Sequence, residues 1–190
     1  MPNLYIIAGC NGAGKTTASY TVLPEILHCK EFVNADEIAK GLSPFQPDKV
    51  SIQAGRIMLQ RIAELINQKE DFAFETTLTT LSYQNTIQSA REKGYTVTLI
   101  FFWLNDVNLA IARVKARVTE GGHNIPEDII KRRYKKGLSN LVDIFIELCH
   151  HWAVINNSDK EHTLIAEGFF NGETIIHDEK NWSIINYKIR

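Results

Sequence analysis

Gly9-Cys10-Asn11-Gly12-Ala13-Gly14-Lys15-Thr16-Thr17 matches the spacing G-x-x-x-x-G-K-[ST] without a gap. Glycines at these places let the backbone curl until several N–H groups converge on one anion. The start of a following helix adds the positive end of a dipole. In such a loop the lysine reaches the β- and γ-phosphates of a nucleoside triphosphate, and the hydroxyl after it ligates Mg²⁺. Gly9, Asn11, Gly12, Ala13, Gly14, Lys15, Thr16 and Thr17 are therefore expected to bind nucleotide, with Thr16 on the metal. A glycine-rich turn with a chance lysine is the alternative. It leaves unexplained the strand-length apolar run Leu4–Ala8 before the loop and the helical stretch after Lys15.

Two carboxylates follow. Glu31-Phe32-Val33-Asn34 reads as a strand leading into Asn34-Ala35-Asp36, and Asp71-Phe72-Ala73-Phe74-Glu75 as a strand leading into Glu75-Thr76-Thr77. Open α/β sheets bind ligands outside the carboxyl ends of their strands. A carboxylate there either takes the proton of a hydroxyl attacking the γ-phosphate or helps to hold a metal. For Asp36 the competing role is capping the helix that follows. For Glu75 it is a solvated strand-end charge. Thr76, Thr77, Thr79 and Thr80 make a hydroxyl-rich patch beside Glu75, though threonines near strands are mostly structural. Tyr83 and Phe45 are candidates to line an acceptor pocket, with packing as the safer reading.

A basic cluster comes next. Arg113 and Arg117, four apart, share a helix face, and Arg132 and Arg133 lie beyond Gly121-Gly122-His123-Asn124. From Arg113 to Lys136 there are eight Lys/Arg against three Asp/Glu. Phosphoryl transfer spreads charge over the equatorial oxygens, which a mobile arginine neutralises. A glycine-bearing lid supplies the motion and excludes water. A solvated helical face accounts for the cluster equally well. His123 reads as a polar loop residue rather than a catalyst.

The elements that would position these groups alternate between strand-like and helix-like, which implies a mainly parallel sheet with helices on its faces. Lys15 to about Val22 reads as helix limited by Pro24, and Gly41–Pro47 as loop. Helices are expected over Asp48–Gln68, Ser82–Lys93 and Asp106–Thr119, and from Pro126 to about Cys149. Tyr95–Leu104 has the apolar composition of a strand buried on both faces. Trp152–Ile155 is a further strand. The tail from Thr163 alternates and holds Asn171-Gly172, a hairpin-turn dipeptide, so edge strands or a small hairpin are expected there.

With 190 residues, 44% of them hydrophobic, the chain suits one domain with a packed core. A net charge of −1 argues against a protein that coats nucleic acid. No apolar run approaches the roughly 20 residues of a membrane span, and no signal peptide is visible. Three widely spaced cysteines without C-x-x-C point to a reduced, cytoplasmic protein.

Taken together, Gly9–Thr17, Asn34-Ala35-Asp36, Glu75-Thr76-Thr77 and the stretch from Arg113 through Gly121-Gly122-His123 and Ile125-Pro126 to Arg132-Arg133-Tyr134 resemble the zeta toxin family, and more closely its shorter bacterial relatives. The resemblance covers roughly residues 3 to 157. It implies a P-loop NTPase fold of the kinase-like, three-layer kind, with a helical lid at about 113–136, to which the alternating tail adds a small β extension at about 160–190. It implies transfer of phosphate from ATP or GTP, with Mg²⁺, to the amino-sugar part of UDP-N-acetylglucosamine, and a small antitoxin that blocks the nucleotide site. It maps the general base to Asp36, sugar-nucleotide contacts to Glu75 and Thr76, and phosphate contacts to Arg117 and Arg132, with Arg113 and Arg133 as near alternatives. Asn11 stands where longer members often carry proline.

A zeta-toxin-like kinase acting on a small-molecule hydroxyl is the leading expectation. A P-loop ATPase, a nucleotide-binding module without an acceptor and a polynucleotide kinase are the alternatives.

Overall fold

The computed structural model describes residues 1–119, 121–122 and 124–187. Among the described residues seven strands form one sheet: β1 (Asn3–Gly9), β2 (Glu31–Val33), β3 (Phe72–Thr76), β4 (Thr96–Trp103), β5 (His151–Asn156), β6 (Thr163–Phe169) and β7 (Thr174–Ile176). Their order is β2-β3-β1-β4-β5-β6-β7. The first five run parallel, and β6 and β7 add on antiparallel. After β1 the chain passes to the outer position of one side, β2, returns to β3 beside β1, and then crosses to the other side through β4 and β5. The order therefore reverses at the carboxyl end of β1, where an open α/β sheet has its binding crevice.

The helices are α1 (Lys15–Thr21), α2 (Ala35–Leu42), α3 (Ser51–Gln68), α4 (Tyr83–Glu92), α5 (Val107–Thr119), α6 (Glu127–Asn140), α7 (Ile146–Leu148) and α8 (Glu179–Tyr187). Pro24 does not end the first helix outright. It sits in a π-type turn, Val22–Ile26, where Leu27 N–H reaches back to Val22 O at 3.0 Å; a residue without N–H removes one rung, and the wider turn restores the next. A similar turn, Leu141–Phe145, joins α6 to α7 inside the single helix expected there. Helix α2 runs through Gly41 to Leu42, so the loop begins at Ser43.

The expectation that Tyr95–Leu104 is buried on both faces holds only at its carboxyl end. In β4, Val97, Leu99 and Phe101 are buried while Thr98 and Ile100 are half-buried; in β5, Trp152 and Val154 are buried while His151, Ala153 and Ile155 are not fully covered. The register pairs the partly covered residues with each other, Thr98 with His151 and Ile100 with Ala153. One face is thus packed, with α4 Tyr83 stacked on Phe74 and α8 Trp182 stacked on Trp152 at ring centroids of 4.8 and 5.6 Å. The opposite face stays partly open beside α1.

The tail forms the expected hairpin, with Asn171 left-handed at φ 55 and Gly172 N–H bonded to Phe169 O. It is not wholly β. Helix α8 follows, started by Asp178, whose carboxylate accepts from Asn181 N–H at 3.0 Å. Its Ile185 is buried against the core.

Candidate active site

Between β1 and α1 the phosphate loop closes on itself through Ala13 N–H to Cys10 O at 3.2 Å. Gly12 (φ 80) and Gly14 (φ 81) hold left-handed backbone that side chains resist. Space forbids a side chain too: a Cβ at Gly12 would lie 2.7 Å from Ala110 O, and one at Gly14 would strike Asn157 Nδ2. Lys15 is buried at 6% exposure. Its ammonium donates to Cys10 O at 3.0 Å and pairs with Glu75 Oε1 at 3.3 Å. Burial pushes the Cys10 thiol up to about 11, against the pull of Lys15, so this loop cysteine stays protonated. Asn11, Gly12, Gly14, Lys15, Thr16 and Thr17 line an open cleft of about 1140 Å³, while Ala13 lies buried behind the loop.

Glu75 stands one strand away. Its register partner on β1 is Ile7, which brings its carboxylate to the foot of the loop. Oε2 accepts from the Thr16 hydroxyl at 2.7 Å and from Asn34 Nδ2 at 2.9 Å. A hydroxyl and a carboxylate oxygen side by side are the hard donors that suit Mg²⁺, which takes one or two protein oxygens and fills its shell with phosphate and water. No group of three or more acidic, His or Cys side chains that could hold a metal exists among the described residues. Thr76 is turned away. It is buried, and its hydroxyl accepts from Leu78 N–H at 3.1 Å, bracing a turn in which Leu78 is left-handed at φ 55.

Asp36 faces the same cleft. The capping role belongs to Asn34 instead, whose Oδ1 accepts from Asp36 N–H at 2.8 Å and from Glu37 N–H at 3.4 Å. Asp36 is therefore a first-turn residue of α2 with its carboxylate free of that duty.

The arginines divide into distinct roles. Arg117 lines the cleft, and its Nε and Nη2 are buried without a hydrogen-bond partner. Leaving such donors unmatched is costly, and the guanidinium would have to turn toward the cleft to meet an anion there. Gly121 (φ 91) turns the chain after α5, and Gly122 N–H bonds back to Arg117 O at 2.9 Å. Arg113 spends its guanidinium on the carbonyls of Asn157 and Ser158 at 2.8 and 3.0 Å. Arg133 donates to Asn11 Oδ1 at 3.1 Å; burial lowers its pKa, while Asp36 opposes that shift. Arg132 is exposed and lies outside the described lining of the cleft. His123 lies outside the described residues. Tyr83 belongs to the core rather than to a pocket, and Phe45 is exposed at the tip of the loop between Pro44 and Pro47.

Asn157 was not singled out by spacing. It is buried at the end of β5, and its Nδ2 donates to Ala13 O at 2.7 Å, beneath the phosphate loop. The strand-end rule that selected Asp36 and Glu75 applies to it equally. Beyond Asn157 the cleft extends over Phe102, Ile155 and His162 on the partly open sheet face.

The family model for Zeta toxin matches residues 1–167. An uncharacterized protein of Haemophilus influenzae is 36% identical over 126 residues, which cover 66% of this chain and 88% of that protein. Among solved structures, AvrRxo1-ORF1:-ORF2 with ATP superposes at a TM-score of 0.78 and 18% identity over 97% of this chain; the chain spans 63% of the length of its counterpart there. The PezAT chromosomal toxin–antitoxin system of Streptococcus pneumoniae superposes at 0.64 and 15% identity, covering all of this chain and 86% of the other. At these identities the superpositions speak for the fold: a mixed α/β domain on a mostly parallel sheet, of P-loop kinase type.

Proposed function

Because this chain belongs to the zeta toxin family, we propose that it is an ATP-dependent kinase that transfers the γ-phosphoryl group to a hydroxyl of a small metabolite. The observation that carries this reading is that Asp36, the phosphate loop and Arg117 line one cleft. Loop amides and Lys15 hold the β- and γ-phosphates. Asp36 takes the proton of the acceptor hydroxyl as its oxygen bonds to the γ-phosphorus. The bond from that phosphorus to the β,γ-bridging oxygen breaks, and ADP leaves. Arg117 neutralises the charge that builds on the equatorial oxygens. Thr16 and Glu75 would hold Mg²⁺, which when bound supplies charge neutralisation at the phosphates. Arg133 braces the loop through Asn11.

The reading extends to the donor, ATP or GTP, and to UDP-N-acetylglucosamine as the first acceptor to test. A reduced interior with three free cysteines supports action in the cytoplasm, and no described helix is long and apolar enough to cross a membrane. The sheet face left partly open beside the cleft supports a small antitoxin as a partner, in keeping with the toxin–antitoxin neighbour.

The test is transfer of label from γ-labelled ATP to metabolites of a cell extract, with UDP-N-acetylglucosamine as a defined acceptor. Asp36→Asn should abolish transfer and keep nucleotide binding. Unchanged transfer in that variant removes Asp36 from the mechanism.

A further inference from the structure

Resting on the kinase reading above, we infer that Asn34 is a positioning residue that holds Asp36 in register with the phosphate loop. The sheet order makes such a device necessary. Asp36 follows β2 and the phosphate loop follows β1, but β3 lies between them. Neighbouring strands are about 4.8 Å apart, so the two functional segments start roughly 10 Å from each other with no direct ladder. Strand β2 pairs with β3 through three residues, Glu31 to Val33, and the chain leaves the sheet at Asn34.

Asn34 bridges that gap with one amide. It is buried at 5% exposure. Its Oδ1 caps α2 at Asp36 N–H and Glu37 N–H. Its Nδ2 donates at 2.9 Å to Glu75 Oε2, on the intervening strand. The same carboxylate accepts from Thr16 at 2.7 Å and pairs with Lys15 at 3.3 Å. A connected set of hydrogen bonds therefore crosses three strand ends. The amide's orientation is forced: two backbone N–H groups require an oxygen, and a carboxylate requires a donor. Capping alone calls for an oxygen, which serine or aspartate supplies as well; the donor toward Glu75 is what asparagine adds.

Displacement of a reacting group by about 1 Å costs on the order of 100-fold in rate, and Asn34 is the side chain whose loss would permit it. Asn34→Ser keeps a capping oxygen and is too short to reach Glu75. Asn34→Ala loses both bonds. Under the inference, Asn34→Ser lowers the Tm less than Asn34→Ala and binds ATP within about threefold, yet its kcat falls roughly 100-fold, close to that of Asn34→Ala. Wild-type kcat in Asn34→Ser overturns the inference and leaves Asn34 a cap. An equal loss of ATP affinity and kcat overturns it too, by moving the effect to nucleotide binding. A second measurement needs no acceptor: crystals of wild type and Asn34→Ser with Mg²⁺ and a non-hydrolysable ATP analogue. A displaced Asp36 carboxylate supports the inference, and an unmoved one overturns it. If the wild-type protein transfers label to nothing, the kinase reading fails, and these crystals still decide the role of Asn34.

Discussion

The Thr16 hydroxyl donates to Glu75 Oε2 at 2.7 Å, between residues 59 apart in sequence. That bond, with the Lys15 pair at 3.3 Å, gives the cleft a stand-in counter-charge: a carboxylate occupies the lysine that a triphosphate would claim. On the proposed reading, Glu75 would compete with phosphate for Lys15 without Mg²⁺ and, with Thr16, would help to hold the ion when it is bound.

Glu75→Ala should separate these two roles. Lys15 would keep one carbonyl partner and lose its counter-ion; removing one member of a buried pair costs about 3 kcal/mol, so the Tm without nucleotide should fall. In EDTA, ATP should raise the Tm of the variant more than that of wild type, because phosphate replaces the missing carboxylate. With excess Mg²⁺ the order should reverse. Thermal shifts measured both ways check this, and parallel shifts would assign Glu75 neither role.

Arg117 and Arg132 should behave differently despite equal standing in the sequence. Arg117→Ala removes the guanidinium that lines the cleft, so kcat should fall about 1000-fold with a smaller change in ATP affinity. Arg132→Ala, at an exposed position, should stay within about threefold, since most surface changes away from such features are small. Steady-state kinetics on both variants decide the assignment; the opposite ranking would mean that Arg132 enters the cleft during turnover.

Part of this site was legible in the residues alone. The phosphate loop was, because glycine, lysine and threonine at fixed offsets leave one geometry that satisfies them all. Asp36 and Glu75 were placed by the strand-end rule. What remained was side-chain orientation. Whether Asp36 or Asn34 caps α2 depends on which oxygen turns back to the first N–H groups. Arg132 and Arg133 are adjacent, and adjacent helical residues point about 100° apart; the buried stripe Ile130, Tyr134, Leu138 turns Arg133 inward and Arg132 out. Helix α8 was hidden by the polar run Asp178–Asn181, which is a cap and first turn rather than a loop. The partly open face of β4 was hidden by Ile100, an apolar residue that the sheet leaves half exposed.

Stability should decline in alkali. Burial raises the thiols of Cys10 and Cys149 from 9.0 to about 11 and about 12. Their contribution is complete below pH 9. Above it the unfolded chain ionises while the folded one does not, so each thiol costs about 1.4 kcal/mol per pH unit until its own folded pKa is reached. Denaturant melts between pH 8 and about 11 should show this slope, and Cys149→Ala should flatten it relative to its own value at pH 8. An unchanged slope would refer the decline to other groups.

Asn157 and Arg113 meet at the segment after β5 and should fail in different ways. Asn157 Nδ2 supports the loop carbonyl of Ala13, whereas Arg113 binds the backbone carbonyls of Asn157 and Ser158. Asn157→Ala keeps both carbonyls for Arg113 and removes the support under the loop. One lost buried hydrogen bond corresponds to about 1.4 kcal/mol, or tenfold, so its ATP Kd should rise about tenfold. Arg113→Ala leaves two carbonyls without their donors at the junction of β5 and α5, and should lower the Tm more than Asn157→Ala does. Calorimetric titration with ATP and thermal melts on both variants separate the effects. If Arg113→Ala instead lost ATP affinity with its Tm intact, its guanidinium would have to leave those carbonyls for phosphate when nucleotide binds, and the division of labour among the arginines would be redrawn.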